Sequence, residues 1–218
     1  MSASSIEGEK RAAAEAAAEL VTEGMRVGLG TGSTVAWLLP VLAARAVKDV
    51  VYVATSPATE HVAREHGLDV RPFTSFGRLD LAIDGADQIE PTGWLVKGGG
   101  GAHTREKVVA AAAERFVVVA SSNKLVAASA PPIPLELLPF GLESTRRLLA
   151  PSALRSTPPT PDGGLLADYL GAVEDPCELA RRLSQTPGVV EHGLFPPHLT
   201  SEILIATGSS VRTLRPTV

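Results

Sequence analysis

With 218 residues, 44% of them hydrophobic and 20% charged, the chain can bury a core for one large domain or for one domain with a smaller appendage. A formal charge of −4 without any basic run excludes nucleic-acid binding as the main role, while a few placed cations would still suffice for a small anion. The single cysteine, Cys177, excludes an intrachain disulfide and a cysteine-based zinc site, and packing near a helix start is its expected role.

In chain order, Ser4 and Glu7 have capping-box spacing and open a predicted helix through an alanine-rich stretch to Leu20 and Val21. Glu7, Glu9, Lys10, Arg11, Glu15 and Glu19 are too dense a set of charges for the apolar region of a signal peptide. A strand over 25–29 ends in Gly28-Leu29-Gly30-Thr31-Gly32-Ser33-Thr34, and the next helix, over 35–42, meets a kink or break at Pro40. Strands over 50–54 and 68–70 flank a helix over 57–66. A strand over 79–83 runs straight into Asp84-Gly85-Ala86-Asp87, and residues 94–96 lead into Lys97 and the glycines 98–101. A helix over 104–113 and a β-branched strand over 116–119 follow.

This alternation predicts an α/β fold, a largely parallel sheet with helices on both faces, in which ligands collect at the carboxyl ends of strands. Every glycine-rich or polar motif falls at such an end. Proline becomes frequent after about residue 128, and a strand over 165–168 with a helix over 176–183 suggests a small α+β unit. The segment 203–206 returns to the main sheet, so the expected division is 1–128 with 203–218, and 129–202. No apolar run is long enough to span a bilayer, so a cytoplasmic protein without a membrane partner is expected.

The glycines of the first loop let backbone N–H groups approach an anion at a helix start. A dinucleotide fingerprint would need glycine at Ser33, and a P-loop would need a lysine that is absent. Asp84 and Asp87 could bind or exchange protons with sugar hydroxyls, bind magnesium, for which one pair is a thin ligand set, or simply bond their own turn. Lys97 with Gly98, Gly99, Gly100 and Gly101 forms a candidate anion nest beside a full positive charge. Glu106 falls in the first turn of the following helix, where the dipole is expected to lower its pKa and keep it ionised; His103 and Glu106 also have capping spacing. Lys124 adds a cation at the same sheet edge. The five histidines lack metal-ligand spacing, with His61 and His66 split across helix faces, so no metal and no cofactor is expected.

In order and spacing, Gly28 to Thr34, Asp84-Gly-Ala-Asp87 and Lys97-Gly-Gly-Gly-Gly-Ala-His-Thr-Arg-Glu-Lys107 resemble the ribose-5-phosphate isomerase type A family. The resemblance extends to Asp175-Pro176, Pro187-Gly-Val-Val190 and Gly193-Leu-Phe195. It implies a Rossmann-like α/β domain with a smaller α+β domain, a homodimer or homotetramer, and metal-free interconversion of ribose 5-phosphate and ribulose 5-phosphate through an enediolate. It also implies Glu106 as general base, with Lys97 near the reacting oxygens and Asp84 assisting ring opening. Thr31, Gly32, Ser33, Thr34, Gly85, Ala86, Asp87, Gly98, Gly99, Gly100 and Lys124 then contact the sugar phosphate, with Lys10 on its phosphate side. The chain departs from the family pattern at Gln88, His103, Ser121 and Asn123. Rival readings are a non-catalytic sugar-phosphate sensor, which would need a DNA-binding module, and an amino-sugar isomerase or coenzyme A transferase of similar fold, the last through a covalent glutamate.

Overall fold

The computed structural model describes residues 3–216. The first helix is α1 (Ala3–Ala18), and the capping expected of Ser4 lies outside the described side chains. Glu7 pairs with Lys10 at 2.6 Å and accepts a hydrogen bond from the Trp37 indole. Strand β1 (Arg26–Leu29) leads into α2 (Ser33–Arg45), which continues through Pro40 and ends on a left-handed Ala46. Next come β2 (Val51–Ala54) and α3 (Pro57–Glu65), whose start is set by Ser56 accepting from the Thr59 N–H and by Pro57 in the first turn. The predicted strand over 68–70 is reduced to a single bridge between Val70 and Tyr52. Its donors are spent elsewhere, with the Leu68 N–H on the Ala63 carbonyl and the Val70 N–H on that of Leu68.

Strands β3 (Leu79–Asp84), β4 (Gln88–Ile89) and β5 (Leu95–Val96) precede α4 (His103–Ala112) and the long β6 (Ala113–Ser121). A single 3-10 turn, Ser122–Lys124, ends that run. Then follow β7 (Ile133–Leu137), α5 (Leu142–Leu148), β8 (Ser152–Leu154), β9 (Leu165–Tyr169), α6 (Pro176–Ser184), β10 (Val189–His192) and β11 (Leu194–Phe195). The chain closes with β12 (Glu202–Thr207) and β13 (Ser210–Leu214).

The main sheet has the order β2-β1-β3-β6-β12-β13 and is parallel except for β13. Period-two alternation sends its side chains to two separate cores. Val117 and Val119 of β6 join Leu29, Ile83 and the α1–α2 layer, where Ala13, Ala14, Ala17 and Ala18 let α1 approach Leu38 and Leu42 closely. Phe116, Val118 and Ala120 point the other way, onto Val109 of α4 and Phe195. Full burial of each valine or leucine contributes about 1.5–3 kcal/mol, so β6 fixes the sheet from both sides. Segment 202–207 pairs with β6 and so returns to the main sheet as expected.

A four-stranded antiparallel sheet, β10-β7-β9-β8, packs Ile133, Leu135 and Leu137 against Leu179 and Leu183 of α6. Asp175 caps α6 by accepting from the N–H groups of Cys177 and Glu178. Cys177 is exposed and does not pack, because the buried face of this helix is the Leu179–Leu183 stripe and Cys177 lies off it. A third sheet, β11-β5-β4, lies between the other two and places Lys97 directly after β5. Among the described residues, no helix is long and apolar enough to cross a membrane.

Candidate active site

Four strand ends converge on one cleft. Its lining comprises residues 31–34 after β1, 85–87 after β3, 97–100 after β5, Glu106 of α4, and Lys124 in the turn after β6. Close approach at the base depends on Gly30, where any Cβ would fall 1.9 Å from the Asp84 carboxyl carbon. That gap lets Asp84 Oδ1 accept from the N–H groups of Thr31 at 3.1 Å and Gly85 at 2.7 Å.

At the floor of the cleft lies a buried triad of charges. Lys97 Nζ stands 2.8 Å from Asp84 Oδ2 and 3.1 Å from Glu106 Oε2, and donates to the Gly85 carbonyl at 2.6 Å. All three side chains are at most 5% exposed. Burial opposes the Lys97 charge, but Asp84 and Glu106 outweigh it and hold its pKa above the usual lysine value. Burial raises the Asp84 pKa despite Lys97. For Glu106, burial and the neighbouring Asp84 charge exceed the pull of Lys97, and the pKa rises to about 8. The Glu106 pKa is therefore raised and not lowered as its place at a helix start suggests, because a charge carried into the interior loses more from water than a helix start returns. His103 does not cap α4 either. It is the first residue of that helix, fully buried, and Ala102 holds the cap position without a side-chain bond.

The other nominated residues separate by position. Asp87 accepts from the Gly99 N–H at 2.8 Å and so fastens the glycine loop to the cleft wall. The Thr31 hydroxyl is engaged away from the cleft in a cluster with Thr55, Ser56 and Thr59. Lys10 is not among the residues lining the cleft and is held by Glu7. Gln88 bonds both the N–H and the carbonyl of Ala130. His103 lies under Gly98, where a Cβ would come 2.7 Å from its Nδ1, and burial with Lys107 lowers its pKa to about 4, leaving it neutral. Sequence reading missed Arg155, which donates to the carbonyls of Gly98 at 2.9 Å and Gly99 at 3.2 Å while forming a bidentate pair with Asp168. Phe195 also escaped notice as a site neighbour, with the ammonium groups of Lys97 and Lys107 at 5.4 and 4.9 Å from its ring centroid.

Residues 51–210 match the family model for ribose 5-phosphate isomerase A (phosphoriboisomerase A). The chain belongs to the ribose 5-phosphate isomerase A family. It is 44% identical to a ribose-5-phosphate isomerase A of Caulobacter vibrioides, over 97% of this chain and 100% of that relative. Among solved structures, the ribose 5 phosphate isomerase A of Neisseria gonorrhoeae superposes with a TM-score of 0.91 at 30% identity, covering 97% of this chain and 98% of the other. A D-ribose-5-phosphate isomerase in complex with phospho-erythronic acid gives a TM-score of 0.90 at 30% identity, covering 96% and 99%. Within the ribose 5-phosphate isomerase A family, this chain thus combines a complete α/β scaffold with a buried carboxylate–ammonium–carboxylate row at the strand ends.

Proposed function

We propose that the chain is an aldose–ketose isomerase that interconverts ribose 5-phosphate and ribulose 5-phosphate. The buried Asp84–Lys97–Glu106 row beneath a glycine-lined cleft carries this reading. Glu106 takes the proton from C2 of the open-chain aldose, and the electron pair moves toward the C1 oxygen to give an enediolate. Lys97, adjacent to Glu106, neutralises that developing charge. The hydroxyl proton of O2 passes to O1, and Glu106 returns its own proton to C1, which leaves the carbonyl at C2. Asp84, held at the base of the cleft by the N–H groups of Thr31 and Gly85, assists opening of the furanose ring. Lys124 and the 31–34 loop receive the phosphate end. A phosphorylated four-carbon sugar acid, the ligand of the solved relative, has the same layout of a planar anion at one end and phosphate at the other.

The row also speaks against a metal-assisted route, since the Lys97 ammonium occupies the space between the two carboxylates that would have to share a cation. A non-catalytic sensor is disfavoured, because a buried row of this kind is costly and serves no purpose in mere recognition. We further propose that residues 129–202 form the smaller unit, that the chain assembles with copies of itself, and that it works in the cytoplasm. Assay of aldose-to-ketose conversion on a panel of pentose and hexose phosphates tests the function, with ribose 5-phosphate expected to show the highest kcat/KM. Turnover of a hexose phosphate without turnover of ribose 5-phosphate would sink it.

The pH profile follows from the same geometry. A base must be deprotonated, so activity is present above the Glu106 pKa and is lost as pH falls through it. The acid limb of kcat/KM is expected near pH 8, where the raised pKa places it, as an apparent value belonging to the whole row. The second ionisation of the substrate phosphate, near about pH 6, lies below that limb. A limb at pH 4–5 would show that Glu106 titrates as an ordinary carboxylate.

A further inference from the structure

Glu9 of α1 is 2% exposed, and none of the chemistry above uses it. Its Oε2 accepts from both the N–H of Ser122 at 2.9 Å and the Ser122 hydroxyl at 2.7 Å. Its Oε1 accepts from the N–H of Gly208, in the turn between β12 and β13, at 3.0 Å. Burial disfavours the carboxylate charge, but the donors of Gly208 and Ser122 outweigh it and keep its pKa below the usual value. A buried anion with three donors from two distant segments is a fixed point, and Ser122 opens the single 3-10 turn that ends in Lys124. The far side of that turn is fixed as well, by Ser121 Oγ donating to Asn123 Oδ1 at 2.6 Å. Lys124 itself is the one cation in that turn and it lines the cleft.

We propose that Glu9 is a positioning residue for substrate binding, holding the Ser122–Lys124 turn so that Lys124 meets the phosphate end of the sugar. The proposal rests on the reading of Lys124 as a substrate contact. It makes the first helix, which supplies none of the residues lining the cleft, a part of the specificity for phosphorylated substrates.

Glu9→Gln keeps the size of the side chain but turns an NH2 group toward donors that need an acceptor. The expected result is a rise in KM for ribose 5-phosphate of about tenfold with kcat nearly unchanged, and a parallel rise in the inhibition constant of inorganic phosphate. Ser122→Ala, which removes only a hydroxyl, should move both constants the same way by a smaller factor and guards against a folding defect in the first variant. The deciding measurement is a double-mutant cycle with Lys124→Ala. If Glu9 acts through Lys124, the double variant has the KM of Lys124→Ala alone. Multiplicative effects of the two substitutions, or a fall in kcat without a change in KM, would overturn the proposal. An unchanged KM in Lys124→Ala would overturn both it and the role of Lys124, while leaving the isomerase reading to the substrate panel.

Discussion

Replacing Glu106 with Gln is expected to lower kcat by roughly 10²–10⁴-fold while substrate binding measured by calorimetry is retained. The amide fills the same space and can still accept from Lys97 through its oxygen, but it cannot take a proton from carbon. The stability of the variant separates lost chemistry from lost structure. Between the ordinary value of 4.5 and the raised value of about 8, the folded protein binds a proton at Glu106 that the unfolded chain does not. Stability conferred by this site therefore falls as pH rises through that window. The Gln variant lacks that loss, so it should be at least as stable as the parent at pH 8, with a flatter dependence of Tm on pH. Near-normal turnover would reduce Glu106 to a helix-start carboxylate and move the base to Asp84 or Asp87.

The second large effect is expected at Lys97. Lys97→Met keeps most of the aliphatic stem against Phe195 but leaves Asp84 and Glu106 facing each other without a cation. Removing one partner of a buried ion pair typically costs about 3–5 kcal/mol. Both carboxyls should then hold their protons to higher pH, because the attraction that opposed burial is gone. The variant should lose on the order of 10²–10³-fold in kcat, the range seen when an oxyanion partner is removed. Its acid limb should move upward, and its loss of Tm should be larger at pH 8 than at pH 5, where protonated carboxyls need no partner. A stability loss independent of pH, or a rate within a few-fold of the parent, would show that Lys97 does not balance these charges.

Much of the site was legible because strand ends and glycines leave local marks. Gly28 to Thr34, Asp84 to Asp87 and Lys97 to Gly100 each follow a short apolar strand, and the parallel sheet brings all of them to one edge. What escaped depends on burial and on partners far away in the chain. The protonation of Glu106 is governed by the depth of the site and by Asp84, 22 positions earlier in sequence, whereas the local rule saw only a helix start. Arg155 looked like any basic residue in a proline-rich stretch until β9 supplied Asp168 and the glycine loop supplied its carbonyls. Residues 68–70 have strand composition, but their N–H groups had already been claimed within the α3 exit. At Cys177 the residue type suggested packing, and the helix phase set by Leu179 and Leu183 turned it outward.

The grip of Arg155 bears on how such an enzyme can be recombined. Asp84 ends β3, Lys97 follows β5 and Glu106 lies in α4, so a transplant of those parts would carry the reacting groups intact. It would leave the Gly98 and Gly99 carbonyls without the guanidinium that orients their peptides, because that guanidinium is held from the four-stranded sheet through Asp168 of β9. The smaller sheet is therefore no interchangeable module. Swapping it between relatives preserves the loop only when the arginine and its carboxylate partner travel together, which makes the two sheets a single heritable unit.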